Sequence, residues 1–176
     1  MSEAQSIDLT IPSDRTLLEI RSWLPQHKLG QQPATFAGRT LPNEVGATLP
    51  APLRVLCVAP AEWVLVAREP WSTISQQHAV RPSTGLVLLD VTDAYATLKV
   101  RGGAAREMLS KGCGLDLHPQ AFPPGRCART RFAQLPLLID HVDDAQGFDL
   151  YVARSYVRWL AEWLQDAAVE FSGCTT

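Results

Sequence analysis

Lys111–Phe132 reads KGCGLDLHPQAFPPGRCARTRF, a long connection punctuated along its whole length. Gly112 and Gly114 predict a helix stop, because glycine alone enters the left-handed region without a Cβ penalty. Pro119, Pro123 and Pro124 lack an N–H donor and fix φ, so regular structure is excluded until Gly125 has passed. A compact domain keeps a loop this long where it packs on something or does something. The stretch therefore sits between a helix that ends near Ser110 and a strand that begins near Cys127.

Working back from the loop, Gly102-Gly103 opens that helix, with Ala105, Met108 and Leu109 on one face. Two strands precede it, Gly85–Val91 and Tyr95–Arg101, with Thr92-Asp93 as turn residues between them. Pro70 suits the first turn of a helix from Trp71 to about Val80, closed by Pro82. Leu53–Val58 and Glu62–Ala67 are β-rich runs joined across Ala59-Pro60-Ala61, which predicts a hairpin.

Working forward, Cys127–Ala133, Leu137–Val142 and Phe148–Ala153 read as strands, the last two joined by the polar turn Asp143-Asp144-Ala145-Gln146-Gly147. A helix from about Arg154 to Glu170 closes the chain, with Tyr156, Leu160, Trp163, Leu164, Ala167 and Phe171 in one apolar stripe. The order is ββα-ββα-βββα. Helices follow groups of strands instead of alternating with them, so the class is α+β with mainly antiparallel sheets and packed helices. Residues 1–52 are rich in proline and read as an extended N-terminal arm. Thr16–Trp23 is a possible strand there, and Ala34–Ala37 part of another. Residues 53–176 are then the folded domain.

The chain has 176 residues and a formal net charge of −2, so it lacks the basic footprint of a nucleic-acid binder. Thirteen of the sixteen cations are arginine, the cation favoured at protein interfaces, although genomic composition bias explains the excess equally well. MSEAQSIDLT has neither the basic nor the apolar region of a signal peptide, and no apolar run approaches the roughly 18–20 residues that span a bilayer. The expected location is the cytoplasm, with no membrane partner. Cys57, Cys113, Cys127 and Cys174 show no C-x-x-C spacing and read as free thiols.

GCGLDLHPQAFPPGRCART, with AAREMLSK before it and FDLYVARSY after it, resembles the gamma subunit of heterotetrameric sarcosine oxidase. The resemblance runs from about Arg54 to Phe171. That family is distantly similar in fold to the folate-binding T-protein of the glycine cleavage system, so the resemblance implies a T-protein-like fold. It also implies a noncatalytic subunit in an αβγδ assembly that oxidises sarcosine to glycine. Oxygen is reduced to hydrogen peroxide, and the methyl carbon goes to tetrahydrofolate or leaves as formaldehyde. FAD, FMN, NAD, tetrahydrofolate and zinc are then expected on the alpha, beta and delta subunits, and none of them on this chain.

A dinucleotide turn needs G-x-G-x-x-G between strand and helix, and Gly102-Gly103 has no third glycine in register. Cys113, His118, Cys127 and His141 have the spacing C-x4-H-x8-C-x13-H, which matches no structural zinc pattern. His118 reads instead as a hydrogen-bonding loop residue and Cys127 as a small buried one. Asp90 and Asp93 flank a hairpin turn, and Asp140, Asp143 and Asp144 sit at a strand end and turn, where aspartate bonds local backbone. Ser155 has no G-x-S-x-G context and reads as the N-cap of the last helix.

Two folate families offer further comparisons. The T-protein's G-G-I-L-D-D type motif aligns with Ala133–Val142, where Leu135 and Pro136 replace its acids; apolar groups cannot accept a proton there. Lys111-Gly112-Cys113 repeats only the first letters of the K-G-C-Y-I-G-Q-E motif of folate-binding iron–sulfur assembly factors. No catalytic, cofactor-binding or metal residue is therefore expected. Trp159 with Arg158, at the edge of the apolar stripe, is the candidate interface anchor, while Trp63, Trp71 and Trp163 read as core. The competing reading is a freestanding T-protein-like folate-binding or aminomethyl-transferring protein. It requires a carboxylate in a central cavity.

Overall fold

A computed structural model describes residues 7–23, 34–77, 85–142 and 147–171. Asp143, Asp144, Cys174 and the predicted helix end at Val80 lie outside these residues. In chain order the described strands are β1 (Asp8–Thr10), β2 (Thr16–Ser22), β3 (Thr35–Phe36), β4 (Arg39–Thr40), β5 (Thr48–Leu49), β6 (Arg54–Ala59), β7 (Glu62–Ala67), β8 (Leu86–Asp90), β9 (Tyr95–Arg101), β10 (Arg126–Phe132), β11 (Leu135–His141) and β12 (Gly147–Ala153). The α-helices are α1 (Trp71–Gln77), α2 (Ala105–Ser110) and α3 (Val157–Ala168). Every paired strand is antiparallel. The predicted order ββα-ββα-βββα holds from β6 onward, and the class is α+β.

The chain divides into two compact units, Ser13–Asp93 and the flanking Met1–Pro12 with Ala94–Thr176. This replaces the expected division into an arm over 1–52 and a single domain over 53–176. In the Ser13–Asp93 unit the sheet order is β5-β6-β7-β2-β8, so β2 lies inside the sheet between β7 and β8. Leu18 and Ile20 of β2 are buried with Val55, Cys57, Trp63, Leu65 and Ile74. Prolines punctuate this segment without making it an arm, because they fall between the strands and leave the ladder N–H groups intact. The predicted Leu53–Val58 and Glu62–Ala67 hairpin is present, with Ala61 at φ 62° in its turn. Trp63 is core, as expected, and donates from Nε1 to the Pro42 carbonyl at 2.7 Å.

The strands on either side of Thr92-Asp93 were expected to form a hairpin, and they do not. β8 pairs with β2, whereas β9 lies between β1 and β12 in the other unit. Thr92 serves its own unit: its Oγ1 accepts from Leu17 N at 3.1 Å, and its N–H donates to Asp90 Oδ1 at 3.0 Å. Asp90 is a local turn acceptor, as expected.

In the second unit the sheet order is β1-β9-β12-β11-β10. One face carries Leu98, Val100, Ile139, Phe148, Leu150 and Val152, packed with Ala105, Met108 and Leu109 of α2 and Leu160 and Leu164 of α3. Burying one fully enclosed leucine contributes about 1.5–3 kcal/mol, so this shared face holds the helices to the sheet. A 3-10 turn over Arg154–Tyr156 precedes α3. With three residues per turn it shifts the phase of the stripe, so Tyr156 is exposed instead of joining it. Ser155 lies within that turn, and Tyr156 takes the N-cap position of α3 with no side-chain capping bond.

The loop after α2 behaves as its punctuation requires: regular structure resumes at Arg126, one residue after Gly125, which has φ 81°. Gly112 and Gly114 do not act as predicted, since α2 ends at Ser110 with its C-cap Lys111 in right-handed geometry, and neither glycine has positive φ. Gly112 is needed for space. A Cβ there would lie 2.7 Å from Phe132 Cζ and 2.9 Å from Trp163 Cη2. Those two rings pack edge-on with centroids 4.7 Å apart, so neither has room to retreat. Gly112→Ala is accordingly expected to lower stability by about 1–3 kcal/mol, measured by urea unfolding. Gly114→Ala is the near-neutral control, because nothing lies within 4 Å of the point a Cβ would occupy there.

Candidate functional site

The long loop is held down by two side chains that charge and periodicity did not single out together. Its Leu117 and Phe122 are buried in the core of the second unit. Arg106 of α2 donates from Nη1 to the Leu117 carbonyl and, at 3.4 Å, to the Phe122 carbonyl. Its guanidinium also stands 5.3 Å from the Phe148 ring centroid, a cation–π distance. Burial pulls its pKa below the ordinary arginine value.

His141, at the end of β11, completes the clamp. It is fully buried, stacked 4.5 Å from Phe148 and 6.1 Å from Phe122 between centroids. Its Nδ1 donates to the Phe122 carbonyl at 3.0 Å, because a carbonyl can only accept. Nε2 is left facing Arg106 Nη2 at 3.5 Å, an acceptor toward a donor. The His141 carbonyl takes the Gly125 N–H at 2.9 Å, which turns the loop into β10.

The other candidate metal ligands go to separate tasks. Cys113 Sγ lies 3.6 Å from Thr130 Oγ1. The His118 ring accepts from Gln120 N at 3.3 Å, as a loop hydrogen bond, and Cys127 is buried on β10 opposite Asp140. Among the described residues no three His, Cys, Asp or Glu side chains converge on a metal position. Cys57 is buried as well, and that burial, with Glu44 nearby, pushes its thiol pKa up. Gly102 has φ 119° and its carbonyl accepts from Ala105 N at 3.0 Å, so the Gly102-Gly103 pair makes the expected tight strand-to-helix turn.

The face of the sheet turned away from α2 and α3 is polar. Lys99, Asp149, Asp140 and Cys127 lie in one cross-strand row over β9, β12, β11 and β10. Directly opposed residues share a face. Asp140 and Asp149 are 0% and 3% exposed, so two carboxylates are buried side by side. Arg101 answers Asp149. Its Nη2 donates to Asp149 Oδ1 at 2.5 Å, and its Nη1 to the Phe148 carbonyl at 2.6 Å. Thr97 and Tyr151 are buried as the next pair on this face.

Asp140 is the penultimate residue of β11, at the strand end that the sequence predicts, and is paired across the ladder with Cys127 and Asp149, whereas Asp149 and Arg101 are not among the residues that the sequence pattern singles out. The available signal was an acid amid the apolar run FDLYVA: such a charge survives burial only when it is paired. Leu135 and Pro136, where the T-protein motif has acids, begin β11 beside a hairpin turn at Ala133-Gln134.

The outer face of α3 presents Trp159 at 44% exposure, next to exposed Tyr156. Arg158 reaches Glu162 at 3.8 Å, a weak solvent-exposed pair. Trp163, four residues on, packs partly against the core. The two tryptophans thus divide as expected, one outward and one inward.

Residues 37–170 match the Sarcosine oxidase, gamma subunit family. An 85-residue stretch is 33% identical to sarcosine oxidase subunit gamma from Corynebacterium sp. (strain U-96), covering 48% of this chain and 41% of that protein. A stretch of 88 residues is 31% identical to the corresponding subunit from Arthrobacter sp., covering 50% of this chain and 43% of that one. The matched stretch therefore spans less than half the length of these relatives.

Among solved structures, the heterotetrameric sarcosine oxidase from Corynebacterium sp. U-96, in complex with pyrrole 2-carboxylate, contains a chain that superposes with TM-score 0.82 at 26% identity. The superposition covers 99% of this chain and 90% of that one. The glycine cleavage system aminomethyltransferase T from Bartonella henselae superposes with TM-score 0.66 at 14% identity over 92% of this chain and 46% of that one, a likeness of fold alone. The architecture is T-protein-like, and the chain belongs to the sarcosine oxidase gamma subunit family.

Proposed function

We propose that this chain is a noncatalytic gamma subunit of a heterotetrameric sarcosine oxidase, joined to alpha, beta and delta subunits in the cytoplasm. In that assembly sarcosine is oxidatively demethylated to glycine, with formation of hydrogen peroxide and of 5,10-methylenetetrahydrofolate or formaldehyde. FAD, FMN, NAD, tetrahydrofolate and zinc belong to the partner subunits. The observation that carries the reading is the family match over residues 37–170. The roles found for the titratable residues agree with it. His141 and Arg106 bind the loop, Asp149 is spent on Arg101, and Asp90 caps a turn. No helix among the described residues is long and apolar enough to cross a membrane.

Expression of the tagged chain with and without its neighbouring genes tests the proposal. The expected result is a large flavin-coloured complex with sarcosine-dependent peroxide production, and a colourless, inactive chain when expressed alone. Oxidation of sarcosine by the isolated polypeptide overturns it. A monomer that ignores its neighbours and binds tetrahydrofolate selects the freestanding T-protein-like alternative.

Trp159 is the proposed anchor toward a partner. An aromatic of this kind at the centre of an interface contributes about 2 kcal/mol or more. Trp159→Ala is expected to weaken recovery of the complex by at least about tenfold, while the thermal midpoint of the chain alone stays within a few degrees of the parent. Equal recovery removes Trp159 from the interface.

A further inference from the structure

Two of the sheet edges are finished differently. β10 carries Arg126, Arg129 and Arg131, the last two exposed, and charge on an edge strand deters pairing with other chains. β8, the edge strand of the other sheet, reads LVLLD, with no lysine, arginine or proline and no bulge in its register. Val91 N donates to the Leu17 carbonyl and Trp23 N to the Gly85 carbonyl, so the odd-numbered positions of β8 face β2. Their neighbours Leu86, Leu88 and Asp90 turn N–H and C=O away from the sheet. Among the described residues no strand lies beyond them.

Beside these open backbone groups lies an apolar strip. Val87 is opposite Arg21 and Leu89 opposite Glu19, and Trp23 is two residues from Arg21, so all three side chains share one face. They are 54%, 57% and 70% exposed. A helix laid on this strip would cover the side chains and leave the outward backbone groups unpaired, because its own are bonded internally. An extended chain answers both needs. A second copy of β8, pairing antiparallel about Leu88, would set Asp90 against Leu86 at both ends; a strand of different sequence has no such mismatch.

We propose that β8 is the docking edge for an extended segment of a partner subunit, with apolar residues at alternate positions, which adds as a sixth strand of this sheet. The inference rests on the subunit reading above. The test is residue-resolved hydrogen exchange on the full chain, alone and in the complex obtained by co-expression with its neighbouring genes.

The amides of Leu86, Leu88 and Asp90 are expected to slow by at least about tenfold in the complex, with Val87 and Leu89, already bonded to β2, little changed. Val87→Lys with Leu89→Lys places two cations on exposed positions, and is expected to cut recovery of the complex by at least about tenfold with an unaltered circular dichroism spectrum. Should a complex form with these amides unprotected and the double variant retained, the edge inference is wrong and the subunit reading stands. Absence of any complex removes both. Protection that grows with concentration in the chain alone assigns the edge to a second copy and overturns the proposal.

Discussion

Arg101→Met is expected to lower the stability of the Ala94–Thr176 unit by about 2–3 kcal/mol, the cost of removing a charged hydrogen-bond donor from a nearly enclosed carboxylate when the donor itself is partly exposed. The aliphatic stem is retained, so packing changes little and the charge is what is lost. Asp149 is then left almost fully enclosed, with buried Asp140 directly across the ladder on β11. The Phe148 carbonyl loses its charged donor too. Urea unfolding followed by the fluorescence of Trp159 and Trp163 reads the change. Arg101→Met combined with Asp149→Leu is expected to recover more than half of the loss, since a well-packed apolar pair replaces a buried ion pair at little cost. A single variant as stable as the parent would mean that this pair does not hold the polar face.

Arg106→Met is expected to cost about 2–3 kcal/mol and to free the loop. The Leu117 carbonyl loses a charge-assisted donor inside a buried segment, and the Phe122 carbonyl keeps only His141. Arg106→Lys is the informative companion. It preserves the charge, but its single ammonium cannot reach two carbonyls and lie over Phe148 in one fork. It is expected to fall between parent and methionine variant. Limited chymotrypsin digestion separates loop release from general destabilisation: cleavage after Leu117 should accelerate well before global unfolding does, the bond after Phe122 being protected by Pro123. Unchanged cleavage after Leu117 would leave the loop held by Leu117, Phe122 and His141 alone.

These two arginines also mark the limit of what was legible. Both stood in the sequence as ordinary charges, one at a strand end and one in a short helix. Their partners are 48 and 11 residues away, and local pattern carries no information at that separation. The hairpin between β10 and β11 was equally hidden. Ala133 at φ 43° and Gln134 at φ 74° make its two-residue turn without glycine or asparagine, so the familiar signal is absent and the strand pairing around it enforces the conformation. Gly112 was singled out for a conformational reason, and its actual role is to leave room for Phe132 and Trp163. Only the tertiary arrangement places those rings beside it.

What the sequence by itself determined is local in origin. Apolar alternation identified most of the strands from β6 to β12, the 3.6-residue stripe identified α3 with Trp163 inward and Trp159 outward, and the prolines with Gly125 set where the loop ends. The motif letters from Lys111 to Thr130 were enough for the family resemblance. Tertiary structure alone decided the division at Pro12 and Asp93, the place of β2 inside a sheet, and the pairing of Arg101 with Asp149. Periodicity reports which face of an element avoids water. Which element covers that face, and which distant charge meets a buried one, depends on contacts between segments far apart in the chain.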